Sequence, residues 1–120
     1  MKAMIAWWDL STSQQNAETL RDFLREEARQ HWSDIPGLVL KFWVSDPERN
    51  RWGAVMIWES EEAAAKATLP RSAGELIGHS LDFREWFDIE ATVEGDHGLP
   101  TLSGLGTALL PQVPRQLESH

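Results

Sequence analysis

The fold is decided by residues 35–61, which read IPGLVLKFWVSDPERNRWGAVMIWESE. Two runs rich in Val, Ile, Leu, Phe and Trp flank a short polar segment that contains Pro47 and Asn50. This pattern predicts two strands joined by a hairpin loop. Because side chains alternate between the two faces of a strand, Lys41 and Trp43 share one face of the first run. Both faces of the hairpin are largely apolar, so we expect each of them to be covered.

The segments on either side of the hairpin predict the rest of the fold. Residues 2–9 read as a strand, and 17–31 have the apolar spacing of a helix. Residues 61–69 predict an Ala-rich helix, and the alternation in 82–94 predicts a long final strand. The resulting order, strand, helix, strand, strand, helix, strand, predicts the ferredoxin-like βαββαβ fold of the α+β class. In that fold both helices lie on one face of an antiparallel four-stranded sheet.

The sequence divides at residue 94. We expect residues 1–94 to form the ferredoxin-like domain, because residues 95–120 change to a composition rich in Gly, Pro and Leu. This C-terminal arm is either a flexible tail or a segment whose leucines pack on a partner subunit or cap a barrel opening.

Two helices cover only one face of the predicted sheet, so its second apolar face needs another partner. A second copy of the chain is the economical cover, and two such sheets can close into a dimeric α+β barrel with an interior cavity. The sequence therefore predicts a homodimer.

Composition and missing motifs exclude several classes of function. The net charge of −8 disfavours nucleic acid and anionic membranes as partners. The chain has no Cys, and therefore no thiolate metal site or nucleophile. The sequence contains no phosphate-binding Gly loop, dinucleotide fingerprint or His-x-x-x-His, so we expect neither a cofactor nor a metal. No apolar run reaches membrane-spanning length and the start is too short for a signal segment, which predicts a cytoplasmic protein.

Lys41 is the first candidate for chemistry, because a charge within an apolar strand needs a partner or a purpose. It either holds an anionic or enolate-like substrate in a cavity, or reaches the rim or pairs with a carboxylate such as Asp88 or Glu90. His79, which follows a glycine before the last strand, is either a base or proton donor or a solvent-facing loop residue.

Tryptophan is the unusual component of the composition, with seven Trp and no Tyr. Its large apolar body suits both a protein core and the wall of an aromatic pocket. Four tryptophans are candidates to bind a substrate, and each has plain core packing as the alternative: Trp8, Trp43, Trp58 and Trp86.

The hairpin also carries a family resemblance. The Pro-Gly-x-x-x-Lys-x-Trp string at 36–43, the strand at 52–58 that begins Trp-Gly-Ala, and Phe-Asp-Ile at 87–89 resemble the YdhR-like monooxygenases of the dimeric α+β barrel superfamily. The resemblance covers roughly residues 1–94. Where that family tends to carry a histidine in the second helix, this chain has Arg71, which becomes a candidate second group for holding an anion.

The resemblance implies a small cofactor-independent monooxygenase that acts on a planar aromatic or polyketide-like substrate. Lys41, Arg71 or His79 would stabilise the deprotonated substrate between tryptophan walls. The alternative is a non-catalytic carrier that uses the same cavity for a small apolar ligand. A catalyst should place a charged group among the aromatic rings, whereas a carrier needs only apolar walls and a polar mouth.

Overall fold

The computed structural model describes residues 1–28, 32–70 and 73–109. Within them, four strands form one open antiparallel sheet in the order β2-β3-β1-β4, and three short α-helices accompany it, so the chain is α+β as predicted. The strands are β1 (Lys2–Asp9), β2 (Leu38–Asp46), β3 (Arg51–Trp58) and β4 (Phe83–Asp88). The helices are α1 (Ala17–Phe23), α2 (Glu61–Lys66) and α3 (Gly74–Ile77).

Polar side chains fix where the helices begin. Asn16 and Thr19 form a reciprocal capping box at the start of α1, and the Ser60 hydroxyl accepts a hydrogen bond from the backbone N–H of Ala63 at the start of α2. The predicted helix over 17–31 is α-helical only to Phe23, and it continues as a π-helical turn over Leu24–Ala28. Residues 29–31 lie outside the described residues.

The central hairpin has the predicted strands, with an irregularity in β2. The loop is tight because Asn50 adopts a left-handed backbone conformation with φ of 55° and its N–H bonds to the Pro47 carbonyl. In the register, Leu38 pairs with Trp58 and Leu40 with Ile57, so one residue is inserted between them. This bulge interrupts the strict alternation that the sequence predicts at the start of β2.

The sheet buries one face under the helices, and its second face is not covered by any of the described residues. The buried face carries a core drawn from β1, β3 and the helices, including Met4, Met56, Trp58, Leu20 and Ile77. On the opposite face, Phe42 and Val44 of β2 are each 43% exposed and Phe87 of β4 is equally exposed. In β2 the uncovered face therefore carries Phe42 and Val44, and Trp43 lies on the helix-bearing face.

The final strand is shorter than predicted. The alternation over 82–94 predicts a strand throughout, but β4 ends at Asp88, and beyond it the Ile89 N–H bonds to the Met1 carbonyl. Val93 is 96% exposed. Alternation persists past Asp88 in the sequence, but β1, the neighbour that pairs with β4, begins at Lys2 and offers no further partner residues.

Part of the C-terminal arm packs on its own chain. A short 3-10 helix at Thr107–Leu109 contacts α1, its Ala108 is buried, and Arg25 donates a hydrogen bond to the Ala108 carbonyl at 3.0 Å. The intervening leucines of the arm are about half exposed: Leu99, Leu102 and Leu105. Contact of these leucines with a partner stays a prediction.

Gly53 in β3 is required by the close approach of β1, and this requirement gives a first prediction. A Cβ at this position would lie 2.2 Å from the Ala6 carbonyl oxygen and 2.7 Å from the Trp7 Cβ. We expect Gly53→Ala to lower the free energy of unfolding by roughly 1–3 kcal/mol, because the backbone of a central strand must shift. Urea unfolding measures the change. Gly95→Ala, where a Cβ meets nothing within 4 Å, is the matched control. Equal stability of the two variants would contradict the prediction.

Candidate functional site

A cavity of about 310 Å³ lies between the helix-bearing face of the sheet and the helices. All four strands line it, and Phe23, Leu24 and Ala64 line it from the helical side. Its volume is at the lower end of the range for small-molecule sites. The cavity is formed by one chain, whereas the sequence predicts an interior cavity between two packed sheets.

Tryptophan forms most of the aromatic wall. Six of the seven tryptophans of the chain line this cavity, while Trp7 lies on the open face, where its ring stacks on Phe83 with centroids 4.0 Å apart. The four tryptophans singled out in the sequence are all among the six. The full set is Trp8, Trp32, Trp43, Trp52, Trp58 and Trp86.

Lys41 points its amine into this aromatic wall. Its Nζ atom lies 3.2 Å from the centroid of the Trp32 ring and 4.6 Å from the centroid of the Trp43 ring. The two rings meet edge to face, at 82°, with centroids 5.9 Å apart, so the amine sits at the corner between them. Such a cation–π arrangement is most favourable with tryptophan and stabilises the charged amine in part.

Burial lowers the pKa of Lys41 from its ordinary value of 10.5 to about 7, because the charged form loses its water. Of the two carboxylates considered as partners, Asp88 forms an ion pair with Lys2 and Glu90 is exposed beyond β4. Within the described part of the chain, Lys41 forms no ion pair. A lysine whose pKa lies near 7 is present in both forms at neutral pH and can accept a proton or hold an anion.

Two of the wall tryptophans have unused hydrogen-bond donors. The indole Nε1 atoms of Trp32 and Trp58 are buried without a hydrogen-bond partner among the described residues. Trp8, by contrast, donates its indole N–H to the His79 carbonyl at 3.1 Å. A buried donor without a partner costs about 1–3 kcal/mol, so these two groups destabilise the fold.

Only one other ionisable side chain of the described residues lines the cavity, and it is also cationic. Arg84 of β4 is exposed to solvent, and its Nε atom lies 3.3 Å from the sulfur of Met4. Arg84 and Lys41 are on the two edge strands of the sheet, and these strands are three strand spacings or roughly 14 Å apart.

The other candidate groups lie elsewhere or outside the described residues. The ring nitrogens of His79 lie 2.8 Å from the Ser80 carbonyl oxygen and 2.9 Å from that of Asp9. Hydrogen bonds to these two carbonyls raise the pKa of His79, because the protonated ring can donate to both, and the bond to Ser80 has the larger effect. The side chain is not part of the cavity wall. Arg71 lies outside the described residues.

Sequence reasoning missed Trp32 and Trp52 as wall residues. Trp52 could have been found, because it lies on the same face of the second hairpin strand as Trp58, by simple alternation. Trp32 stands in the connection between α1 and β2, where no periodic pattern indicates which way a side chain points. Its place beside Lys41 depends on how that connection packs on the sheet.

No protein-family model matches this chain, and no curated protein matches it significantly in sequence. Among the described residues, no cluster of three His, Asp or Glu side chains is placed to hold a metal ion. Over the same ranges, 1–28, 32–70 and 73–109, no helix is long and apolar enough to cross a bilayer. The cavity is therefore the feature from which a function can be inferred.

The burial of Lys41 predicts that the amine destabilises the fold. Lys41 has a pKa of 10.5 in the unfolded chain and about 7 in the folded one, so between these pH values the unfolded chain binds more protons. The free energy of unfolding of the wild type therefore rises with pH over this range. We expect Lys41→Met to raise the free energy of unfolding at pH 7 by at least about 1 kcal/mol. This gain should shrink as the pH approaches 10.5.

Urea unfolding of both proteins at pH 7, 8 and 9 measures the difference. Lys66→Met, which removes an exposed lysine paired with Glu62, is the matched control and should show no such pH dependence. A difference that is constant with pH would show that the Lys41 amine is not desolvated. His79 titrates in both proteins, so its contribution cancels.

Proposed function

We propose that this chain is a small cofactor-independent monooxygenase that oxidises a planar phenolic or polyketide-like substrate in the tryptophan-lined cavity. The observation that carries the proposal is the Lys41 amine, held against Trp32 inside the cavity with a pKa of about 7. A carrier of apolar ligands has no use for a buried amine, which only weakens its fold.

The first step of the proposed reaction is a proton transfer. The neutral amine of Lys41 takes a proton from an acidic carbon or hydroxyl of the substrate, and the resulting ammonium remains beside the substrate anion. Tryptophan walls exclude water, so the attraction between these two charges is stronger than it would be in solvent. Removal of the proton makes the substrate electron-rich enough to react with oxygen directly.

The second step uses molecular oxygen as the co-reactant. The substrate carbanion transfers an electron to O2, and the two radicals combine to form a C–O bond and a peroxide. Protonation by the Lys41 ammonium helps to cleave the O–O bond, and loss of water leaves a carbonyl. A ring CH2 and O2 thus become C=O and H2O, with the substrate as the only reductant and one oxygen atom retained in the product.

We also propose that the domain is ferredoxin-like and forms a dimeric α+β barrel. The strand order β2-β3-β1-β4, with antiparallel neighbours and a helix-bearing single face, supports the first part. The open face, on which Phe42, Val44 and Phe87 are each 43% exposed, supports the second, because exposed apolar surface of that kind favours a partner. The same face on a second copy has the required chemistry.

Oxygen uptake tests the reaction. With anthrone-like and catechol-like compounds, we expect Lys41→Met to lower kcat by about 100-fold or more, the usual contribution of a general base. The wild-type rate should rise with pH through about 7, as the amine becomes neutral. Lys66→Met, a change of the same kind on the surface of α2, should leave the rate unchanged. Binding without oxygen uptake for every compound would favour the carrier instead.

Light scattering tests the dimer. We expect the wild type to have twice the 13.6 kDa mass of one chain. Phe42→Glu places a charge among the apolar residues of the open face and should shift the mass to that of the monomer. Val93→Glu makes the same change at an exposed residue beyond the sheet and serves as the control. A monomeric wild type would overturn the dimer but not the cavity, since one chain lines it.

A further inference from the structure

The Lys41 amine is unpaired and still accessible. Within the described part of the chain it forms no ion pair or hydrogen bond, and it lies against the rings of Trp32 and Trp43. The described side-chain polar atoms that are fully enclosed and lack a hydrogen bond are the indole nitrogens of Trp32 and Trp58. The amine nitrogen of Lys41 is not among them, so part of its surface is open, and Lys41 lines the cavity.

The other two lysines of the chain have carboxylate partners. Lys2 forms ion pairs with Asp88 and Glu61, and its hydrogen bond to Asp88 raises the pKa of the Lys2 amine. Lys66 donates a hydrogen bond to Glu62 at 2.8 Å on the exposed surface of α2. Lys41 is thus the lysine that lies in an apolar cavity, and the described residues lining that cavity include no carboxylate.

An accessible amine in an apolar cavity is a nucleophile as well as a base. A lysine attacks a carbonyl carbon only when its amine is neutral, because the protonated amine has no lone pair to share. Loss of water around Lys41 favours the neutral amine and lowers its pKa to about 7. Buried lysines with this property are the ones that form Schiff bases with carbonyl compounds.

We propose that Lys41 forms an imine with planar aromatic aldehydes that enter the cavity. The aldehyde carbon bonds to Nζ, and the aromatic ring packs against the tryptophan rings of the wall. The cavity volume of about 310 Å³ suits a compact ring system. This covalent activity goes beyond the proposed oxidation and rests on the proposed function only in taking the cavity as the ligand site.

Imine formation here needs no oxidant or reductant. The lone pair of the neutral amine bonds to the carbonyl carbon, the π electrons of the C=O bond move to oxygen, and one N–H proton passes to that oxygen. The nitrogen lone pair of the resulting carbinolamine then forms the C=N bond as hydroxide leaves, and the hydroxide takes the second N–H proton. An amine and an aldehyde thus become an imine and one water molecule.

Reductive trapping tests the inference. Sodium cyanoborohydride reduces an imine to a stable secondary amine, so 2-naphthaldehyde at pH 7 marks each lysine that reacts. Cleavage before aspartate places the three lysines in separate peptides, 1–8, 34–45 and 46–81, which mass spectrometry quantifies. We expect 34–45 to be labelled roughly tenfold or more faster than 46–81, because an amine with a pKa of about 7 has a far larger neutral fraction at pH 7 than an ordinary lysine.

The same chain supplies the controls. Peptide 46–81, which holds Lys66, is the reference, because 1–8 also contains the terminal amine. In concentrated urea the cavity is lost, and 34–45 and 46–81 should be labelled at equal rates. Glyceraldehyde, a polar aldehyde without a ring, should favour Lys41 over Lys66 much less than 2-naphthaldehyde does, because the wall is apolar. Lys41→Met should lose the fast labelling, and circular dichroism checks its folding.

Each outcome bears on the inference. A preference for 34–45 that needs both the folded chain and the aromatic aldehyde supports it. Labelling of 34–45 that is no faster than that of 46–81, or a preference that persists in urea, overturns it. An equal preference with glyceraldehyde overturns the assignment to aromatic aldehydes.

Trapping is measured under nitrogen and without turnover, so its result is independent of the oxidation. Labelling of Lys41 without oxygen uptake in the oxygen assay contradicts the monooxygenase alone. Oxygen uptake without labelling contradicts the imine alone.

Discussion

The structure depends on a sheet that is apolar on both faces while its helices cover only one of them. The helix-bearing face turns tryptophan rings toward the helices, and these rings line the cavity between the sheet and the helices. The other face, with Phe42 and Val44 outward, has no cover among the described residues. The core, the cavity and the open apolar surface thus all follow from strands that carry apolar residues on both faces.

Lys41 shows how the fold accommodates a group that weakens it. Cross-strand pairing with Met56 fixes the lysine backbone in edge strand β2, on the helix-bearing face of the sheet, and the amine lies against the rings of Trp32 and Trp43. Desolvation depresses its pKa, and the faces of Trp32 and Trp43 return part of the lost stabilisation. The shift is useful because an amine that titrates near 7 can both take up and release a proton under neutral conditions.

Sequence-based prediction is correct for this protein where an apolar pattern in one segment also has a neighbouring segment to pack on or pair with in the fold. Two apolar runs around a polar segment predict the hairpin, and alternation puts Lys41 and Trp43 on one face of β2, but it does not say which face the helices cover. Past Asp88 the same alternation predicts strand where no neighbouring strand remains to pair. The bulge after Leu38 and the place of Trp32 depend on how the connection from α1 meets the sheet, which no repeat in the sequence encodes. The same reason explains why an unused indole N–H is invisible before the packing is known.

In the proposed function, chemistry and assembly take place on opposite faces of the sheet. Lys41, Trp32 and Trp58 line a cavity within one chain, so the proposed site needs no residue from a second copy. Phe42, adjacent to Lys41 along β2, points the opposite way, and the two share only the backbone between them. If a partner on the open face affected a ligand in the cavity, it would therefore have to do so by shifting the backbone of β2, because no side chain of that strand contacts both. Under the proposed function and dimer, a ligand in the cavity and a partner on the open face would thus contact alternate residues of the same strand.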